Sequence, residues 1–413
     1  MRVRWRIKLT NEPARTLSKH RANIDRDSNQ FCFPIQMTSI FFSESSKNIG
    51  GQELQLLEQA VGLKAKGYTP YILCRPGSRI SQEAYKLGLN VEFVAFRNAI
   101  HPPSVLRLAN LVRLHKPVAV VCHSSHDANL CSITVHALAK IGLLKPRPTL
   151  IRMRTYQPGP AKAFTYNQMF DQTFTPSQAL KDQLLQNSGV LPEKIGVLYP
   201  GIDFESIAAA AALGLPPELD ARLSDLQQRP VIAHAAMFRV EKGHSFMLQV
   251  VKALLPQFPN LLYVAAGEGE TRQAIETEAQ RLGLGKHVVL PGMLNPVAPL
   301  IKRADVLVMP SSYEPLGMSQ IEALGLGVPV VVSNVGGLPE TVKSGVTGYV
   351  CPAPHAPGAL DAWVQALGAV LAEPHKARDM AALGRQTVLA QFGKQSNIDG
   401  LVGTIQTPRL GRS

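Results

Sequence analysis

The chain has 413 residues, of which 45% are hydrophobic and 18% charged, and its formal net charge is +13. The apolar fraction excludes a mainly disordered chain, and the length exceeds one ordinary core, so we expect two domains of ~150–200 residues. No apolar run approaches the ~18–20 residues that a membrane-spanning helix needs, so the sequence predicts a protein that is soluble or lies on a membrane surface.

Short apolar runs alternate with helix-length amphipathic segments from residue 35 onward. The predicted strands are 35–42, 71–74, 91–96, 118–122, 149–153 and 195–198 in the first half, and 231–236, 261–266, 288–290, 306–309 and 330–332 in the second. The predicted helices between them include 50–66, 104–114, 128–141, 178–186, 207–228, 244–255 and 271–282. Val/Ile/Leu-rich strands separated by helices indicate parallel sheets covered on both faces. The sequence therefore predicts an α/β fold with two doubly wound, Rossmann-like domains facing a cleft.

Pro200-Gly201 marks a turn between the two predicted domains, which we place at residues 31–200 and 201–373. Residues 374–413 form further helices and a tail, and residues 1–30 form a basic extension. Two interpretations of the extension stay open, a surface-binding arm or a mis-assigned start with Met37 as the first residue.

The net positive charge of the chain comes entirely from its first half. Residues 1–190 hold 25 basic and 11 acidic side chains, whereas residues 191–413 hold 18 and 19. This asymmetry indicates a polyanionic partner such as anionic lipid, nucleic acid or an acidic glycan, although a solubilising surface would also produce it. No basic stripe is interleaved with aromatic residues, so nucleic acid is not the expected partner.

The five cysteines contain no Cys-x-x-Cys pair, and their number is odd. They are Cys32, Cys74, Cys122, Cys131 and Cys351. We therefore expect neither a disulfide framework nor a structural zinc site, and we expect a cytoplasmic, reducing compartment.

Two motifs of the first half follow predicted strands, where open parallel sheets bind ligands. Gly50-Gly51 lets a backbone loop approach a ligand and precedes a helix start that favours an anion, or it forms only a tight turn. His123 follows the strand 118–122 and is expected to face the cleft, although Ser124, His126 and Asp127 beside it could instead cap the next helix.

Two motifs of the second half carry charge. Arg239 and Lys242 follow the strand 231–236 and suit a diphosphate, unless Glu241 simply pairs with either of them. Glu314 follows the strand 306–309, and Glu322 lies in an apolar helix, where a carboxylate needs hydroxyl or N–H partners such as those of a sugar. The alternative is a capping Glu314 and an exposed Glu322.

Several classes of site are not expected. The sequence has no Gly-x-Ser-x-Gly nucleophile motif, and Gly50-Gly51 lacks the Gly-x-Gly-x-x-Gly pattern of dinucleotide-binding dehydrogenases. Asp25-Arg26-Asp27 follows no predicted strand, so we do not interpret it as a metal site. Since Arg239 and Lys242 can neutralise phosphates, we expect no metal and no cofactor.

The order of these motifs resembles glycosyltransferase family 4, retaining enzymes of the GT-B fold, from about Thr38 to about Phe392. The resemblance rests on Gly50-Gly51, His123, Arg239, Lys242-Gly243, Gly267-Glu268-Gly269, Glu314, Glu322 and Gly336-Gly337. Two features depart from the family pattern. Leu316 stands where the family often has an aromatic residue, and the extension before Phe31 has no counterpart.

The resemblance implies a role for each matching position. Arg239 and Lys242 would bind the donor diphosphate, Glu322 the ribose hydroxyls and Glu314 the transferred sugar. Gly50 and Gly51 would form a loop that closes over the donor, His123 would contact the donor sugar near the reaction centre, and Gly267 would contact the donor. The backbone amides of Leu316, Gly317 and Met318 would support the sugar and phosphate. The segment Gly292, Met293 and Leu294 would lie against the base.

The resemblance also implies the reaction: retaining transfer of a hexose-type sugar from a UDP- or GDP-sugar to a hydroxyl of the acceptor. The acceptor would bind the first domain, and the last helices would cross back onto it, with Pro374–Phe392 as the candidate crossing segment. Together with the basic first half, this predicts a lipopolysaccharide core or lipid-linked envelope glycan as acceptor, at the inner face of a membrane. A pyridoxal-dependent phosphorylase, a nucleotide-sugar epimerase and a non-catalytic polyanion or glycan binder remain as alternatives.

Overall fold

A computed structural model describes residues 38–156, 159–224 and 230–407. The basic extension over residues 1–30, the alternative start at Met37, Cys32 and the Asp25-Arg26-Asp27 motif all lie outside these ranges. Within them, the strands form two separate parallel sheets, one from each half of the chain. The predicted α/β fold with two doubly wound sheets is confirmed.

The first sheet has seven strands in the order β3-β2-β1-β4-β5-β6-β7 among the described residues. These are β1 (Thr38–Glu44), β2 (Tyr68–Cys74), β3 (Asn90–Phe93), β4 (Ala119–Cys122), β5 (Thr149–Met153), β6 (Gln172–Thr175) and β7 (Ile195–Val197). The helices of this half are α1 (Gly51–Ala65), α2 (Arg79–Lys86), α3 (Pro102–His115), α4 (Ser125–Lys140) and α5 (Gln178–Leu185). The strand order reverses direction between β1 and β4.

The second sheet has the order β10-β9-β8-β11-β12-β13 in the part of the chain that is described. Its strands are β8 (Val231–Ala235), β9 (Leu262–Ala266), β10 (Val288–Gly292), β11 (Val306–Met309), β12 (Val330–Ser333) and β13 (Tyr349–Cys351). The helices of the second half of the chain are α6 (Phe204–Ala211), α7 (Pro217–Ser224), α8 (His244–Leu254), α9 (Arg272–Arg281), α10 (Ala298–Arg303), α11 (Ser319–Gly325), α12 (Leu338–Thr341), α13 (Ala359–Ala372), α14 (Pro374–Phe392) and α15 (Lys394–Gln406). The order reverses between β8 and β11.

Each sheet is buried on both faces, because neighbouring residues of a strand point to opposite sides and both are apolar. Phe42 packs with α1 and α2 on one face of the first sheet, whereas Phe41 packs with α3 and α4 on the other. In the second sheet, Val306 and Val308 face the core under α8 and α13, and Leu307 and Met309 face the opposite core. This two-sided burial explains the continuous apolar runs that predicted the strands.

Three details differ from the expected elements. The strands β6 and β13 were not predicted, because β6 is Gln-Thr-Phe-Thr, which contains no apolar run, and β13 is only three residues long. The expected helix over 207–228 is wrong as a single element, since α6 ends at Ala211 and α7 begins at Pro217. Gly214 has φ +79° between them, a left-handed conformation that a helix interior does not accommodate.

The two sheets are joined by the segment after β7 and by the last two helices. The helix expected to cross back, α14, packs mainly on α11 of the second half, whereas α15 packs on α1 of the first half. Ile202 and Gly393 form a parallel bridge between the two crossing segments. No helix among the described residues combines the length and apolar character needed to cross a membrane.

Candidate functional site

All four sequence motifs follow the strands that flank the two reversals of strand order. Gly50-Gly51 follows β1 and His123 follows β4, while Arg239 and Lys242 follow β8 and Glu314 follows β11. A reversal leaves a crevice at the carboxyl ends of the strands, because the connecting helices diverge to opposite faces of the sheet. The motifs therefore lie where each sheet has room for a ligand.

A cavity of about 270 Å³ is lined by residues from both halves of the chain. Six predicted site residues contribute to it, Gly51 and His123 from the first half and Glu314, Leu316, Gly317 and Met318 from the second. The other predicted residues lie outside this lining, namely Gly50, Arg239, Lys242, Gly267, Met293, Leu294 and Glu322. Other cavities are larger: those of about 700 and 600 Å³ lie at the amino ends of the strands, and one of about 340 Å³ lies beside α12 and α14.

An ion pair places Lys242 at the edge of the cavity, although its side chain does not line it. The Lys242 ammonium lies 2.5 Å from Glu314 Oε2, and the two side chains are 19% and 10% exposed. The Ser311 hydroxyl lies 3.5 Å from the same oxygen. The cation after β8 and the carboxylate after β11 thus form one unit, and the expected alternative of a pair with Glu241 does not apply to Lys242.

The backbone also ties these two loops together. Ser312 N donates to the carbonyl of Glu241 at 2.8 Å. Gly243 has φ +74°, and a Cβ there would lie 2.0 Å from the carbonyl oxygen of Pro310. Only glycine permits this approach. The phosphate-binding candidates after β8 are therefore held at a fixed distance from Glu314.

Arg239 is less constrained than Lys242. Its side chain is about half exposed, and Nη1 lies 3.9 Å from Glu241 Oε1, at the limit of an ion pair. An exposed pair of this length contributes little to stability. The guanidinium can therefore reorient towards a ligand at low cost.

Gly267, Met293 and Leu294 lie at the carboxyl ends of β9 and β10. Gly267 N donates to the carbonyl of Gly292, and a Cβ at Gly267 would lie 2.0 Å from Ala236 O. Leu294 is partly buried against the core, whereas the Met293 side chain is 73% exposed. This exposed surface is open to a planar ring, as the predicted contact with a base requires.

Glu322 lies one turn into α11, where its backbone N–H donates to Met318 O at 3.0 Å. Burial raises the pKa of the Glu322 carboxyl. Two hydroxyl groups donating hydrogen bonds to the ionised carboxylate would offset the cost of removing it from water.

His123 is 5% exposed, and burial lowers the pKa of its imidazole to about 3. The ring is therefore neutral at pH 7 and cannot donate a proton as an imidazolium. Its Nε2 lies 3.3 Å from Gln59 Oε1, and Gln59 Nε2 donates to Asn397 Oδ1. This contact links α15 to the end of β4. Sequence reasoning missed Gln59 and Asn397, because 338 residues separate them.

The alternative interpretation of the residues after His123 is confirmed for Ser124 and Asp127. They form a capping box at the start of α4, in which Asp127 accepts from Ser124 N at 3.1 Å. The Ser43 hydroxyl also donates to Asp127, at 2.5 Å. Burial raises the pKa of Asp127 to about 6, and these hydrogen bonds oppose the rise.

A second missed group holds the glycine loop. Glu44 at the end of β1 accepts from Ser46 N and from Gln52 Nε2, and Gln52 Oε1 accepts from Thr155 Oγ1. Burial, with the nearby Asp127 carboxylate, raises the pKa of Glu44 to about 7. Gln52 and Thr155 both line the cavity. Gly50, meanwhile, donates its N–H to Glu53 Oε2 at the start of α1, as a helix cap.

Within the described residues, no three His, Cys, Asp or Glu side chains converge as metal ligands do.

Comparison with known proteins shows that each half of the chain matches a model of a glycosyltransferase family. Residues 49–206 match the family model described as Glycosyltransferase Family 4, and residues 218–387 match the model described as Glycosyl transferases group 1. The chain belongs to glycosyltransferase family 4. The predicted resemblance is confirmed.

Two relatives of this family 4 chain show how functions vary among similar sequences. A D-inositol 3-phosphate glycosyltransferase of Segniliparus rotundus is 29% identical over 58% of this chain and 53% of its own. A GDP-mannose-dependent phosphatidylinositol monomannoside mannosyltransferase of Mycolicibacterium smegmatis is 31% identical over 46% of this chain and 51% of its own. The chain thus spans about half the length of the curated relatives it matches.

A solved structure of Anabaena HepE in complex with UDP covers 89% of the family 4 chain and 99% of its own. The TM-score is 0.74 and the identity 18%, so the likeness concerns the fold. The GT-B architecture, two Rossmann-like domains, is confirmed.

Proposed function

We propose that this protein transfers a hexose-type sugar from a UDP- or GDP-sugar to an acceptor hydroxyl, with retention of anomeric configuration. One observation carries the proposal: the same cavity is lined by Gly51 and His123 of the first half and by the loop from Glu314 to Met318 of the second. Lys242 forms an ion pair with Glu314 at its edge. A donor bound there would contact both halves.

The donor roles follow from the chemistry of each group. Lys242 and the half-exposed guanidinium of Arg239 would neutralise the diphosphate, since both lie beside the start of α8. The amides of Leu316, Gly317 and Met318 would support the sugar and phosphate. Glu322, whose pKa is raised by burial, would bind the ribose hydroxyls. The solved relative carries UDP and the mycobacterial relative is named for GDP-mannose, so both bases are candidates.

Stabilisation of the leaving diphosphate would be the largest catalytic effect. The bond from C1 to the phosphate oxygen breaks while the acceptor oxygen bonds to C1 on the same face. The acceptor proton passes to an oxygen of the leaving phosphate. Because His123 is neutral, we assign it contact with the sugar rather than proton transfer. Glu314 would hold the transferred sugar beside Lys242.

The donor proposal is tested by a thermal-shift panel of nucleoside diphosphates and their sugars. A ligand at 100 times its dissociation constant stabilises the folded state by about 2.7 kcal/mol. We expect a shift with UDP or GDP and their sugars but not with the corresponding monophosphates at equal concentration. No shift with any nucleoside diphosphate would refute the donor site.

The reaction is tested with a labelled donor and a panel of acceptors. A glycosyltransferase forms product only when an acceptor is added, whereas an epimerase changes the donor without one. Retention is read from the anomeric coupling of the product by NMR. Conversion of the donor at the same rate without acceptor would favour the epimerase.

We further propose an acceptor at an anionic surface, a lipopolysaccharide core or a lipid-linked envelope glycan. The 700 Å³ cavity at the amino ends of β4 and β5 supports attachment to such a surface. Its lining includes Arg113, Lys116 and Lys145, with no carboxylate among the described lining residues. Arg147 also lines it but is paired with Asp171 at 2.7 Å. Leu143, also in the lining, is 51% exposed. Basic and apolar side chains together suit anionic lipid headgroups.

Attachment is tested by sedimentation with vesicles of neutral and of anionic phospholipid. We expect binding to anionic vesicles that weakens at high salt and is lost in Arg113→Glu/Lys145→Glu. The control Lys252→Glu/Lys286→Glu makes the same charge change on exposed residues of the second half. Equal loss in both pairs, or no binding by the unmodified protein, would refute a lipid surface at this groove.

A further inference from the structure

Three buried polar side chains lie beneath the loop that carries Arg239 and Lys242. They are His234 on β8, Tyr263 on β9 and His244 at the start of α8, each at most 1% exposed. Tyr263 Oη lies 2.7 Å from His234 Nδ1 and 3.2 Å from His244 Nδ1. The far nitrogen of His244, Nε2, lies 3.1 Å from the carbonyl oxygen of Met237. The chain of contacts thus begins in the sheet and ends at the loop.

Only one arrangement of protons satisfies all three contacts. A carbonyl oxygen accepts only, so His244 Nε2 carries the proton and Nδ1 carries a lone pair. The Tyr263 hydroxyl must then donate to His244 Nδ1, and its oxygen accepts from His234 Nδ1–H. His234 Nε2 is left as the lone-pair nitrogen, and it has no hydrogen-bond partner among the described residues. The three hydrogen bonds therefore run in one donor-to-acceptor direction, from His234 through Tyr263 and His244 to the carbonyl of Met237.

Stacking fixes the orientation of the His244 ring. Its centroid lies 4.0 Å from that of His234 and 4.4 Å from that of Phe238, with interplanar angles of 26° and 19°. The Arg272 guanidinium lies over the Phe238 ring, 5.9 Å from its centroid. A ring held on both faces cannot turn to release its hydrogen bonds without separating the stack.

The contact with Met237 matters because that carbonyl shapes the loop. Met237 O also accepts from Arg239 N at 2.9 Å, closing a three-residue turn immediately before the guanidinium. On the other side of the loop, Lys242 precedes Gly243, the residue before His244. His244 therefore fixes the turn that presents Arg239 and begins the helix that follows Lys242.

We propose that His244 is a positioning residue for donor binding, which holds the Met237–Lys242 loop through its Nε2–H in a tautomer selected by Tyr263 and His234. The proposal rests on the proposed function, because it assumes that Arg239 and Lys242 bind the donor diphosphate. This hydrogen-bond arrangement requires both imidazoles to be neutral, and burial lowers the pKa of His244 to about 4 and that of His234 well below its ordinary value.

Two substitutions of His244 test the roles of its two ring nitrogens separately. Glutamine places an amide near the Nε2 position, so His244→Gln keeps a donor for Met237 O and loses the Tyr263 contact. Asparagine places its amide near Nδ1, so His244→Asn keeps the Tyr263 contact and loses the donor to Met237. Tyr263→Phe removes the group that selects the tautomer and leaves the loop itself unchanged.

The measured quantity is the dissociation constant for UDP and for GDP, by isothermal titration calorimetry. We expect His244→Asn to weaken binding of the better-bound nucleotide about tenfold, as loss of one hydrogen bond does, and His244→Gln to stay within about twofold. Tyr263→Phe should weaken binding by less than His244→Asn, because part of its His244 keeps the Nε2–H tautomer. Equal weakening in His244→Gln and His244→Asn would indicate packing alone and overturn the proposal. Unchanged affinity in all three variants would also overturn it.

A second readout does not depend on nucleotide binding. Nitrogen-15 NMR of the histidine rings should show His244 as the Nε2–H tautomer in the unmodified protein and as a mixture in Tyr263→Phe. Hydrogen exchange of the amides from Met237 to Gly243 should be faster in His244→Asn than in His244→Gln. If the unmodified protein binds neither UDP nor GDP, the proposed function fails, and these measurements still test the loop. A Nδ1–H tautomer, or equal exchange in both variants, would overturn the proposal.

Discussion

The pair of Lys242 and Glu314 offers a way to separate stability from catalysis. Removing one partner of a fully buried ion pair costs about 3–5 kcal/mol, because an uncompensated charge stays behind. Here the side chains are 19% and 10% exposed, so water shares part of that charge. We therefore expect Lys242→Met and Glu314→Gln each to lower the free energy of unfolding by about 2 kcal/mol. The double variant removes both charges, and we expect a loss below about 1 kcal/mol.

Activity should follow a different pattern. If Lys242 stabilises the leaving diphosphate and Glu314 holds the sugar, each single variant should lower kcat by about 10²–10³-fold. The double variant should recover stability and stay inactive. Stability is measured by urea unfolding, and activity with the donor that the thermal-shift panel identifies.

The matched control is Lys302→Met. Lys302 donates to the carbonyl of Leu326 at 3.0 Å and lines the cavity at the amino ends of the second sheet. We expect it to lose about 1 kcal/mol of stability and no activity. Recovery of activity together with stability in the double variant would show that the pair serves only folding, and would refute the assigned roles.

Three further outcomes follow from the described contacts. In Gly243→Ala, the new Cβ would meet Pro310 O, so we expect a lower melting temperature and weaker nucleotide binding; unchanged values would contradict the close approach. The neutral His123 has its pKa lowered from 6.5 to about 3, so its stability contribution is full above pH 6.5 and is lost as pH falls towards 3. The unfolding free energy of the unmodified protein relative to His123→Gln should therefore drop by about 2 kcal/mol from pH 7 to pH 5 in urea titrations. A difference that does not change with pH would show that the pKa of His123 is not lowered in the folded protein. Glu340 on α12 accepts from two backbone amides at the start of α5 and from a tyrosine hydroxyl, so Glu340→Gln should speed hydrogen exchange there, whereas the exposed Glu373→Gln should not.

Local sequence determined much of the architecture, because a strand buried on both faces must be apolar throughout and therefore appears as an uninterrupted run. Residues 149–153 and 306–309 match β5 and β11 as predicted. The strand β6 lacks such a run, since its threonines are buried by neighbours on either side rather than selected for hydrophobicity. The segment 207–228 has helical composition throughout, yet a glycine and two prolines divide it.

The candidate site could likewise be predicted only in part from the sequence. Its motifs could be placed from sequence, because each follows a strand that ends at a reversal of strand order. In this way we could predict the family and the two-sheet fold from the sequence. We could also predict that Gly51, His123 and Glu314 lie at one cleft. The sequence also placed the basic excess in the first half of the chain, although not in the groove at the amino ends of β4 and β5.

Tertiary structure alone decided which groups act on one another. Lys242 pairs with Glu314 rather than Glu241, and Tyr263 lies between two histidines 10 residues apart in sequence. Gln59 meets Asn397 across the two halves of the chain. A hydrogen bond or ion pair depends on a few ångströms of separation and on burial, and neither is encoded in local sequence. Local sequence therefore indicated where the candidate site lies, whereas the packing of distant elements determined which groups pair within it and how deeply each is buried.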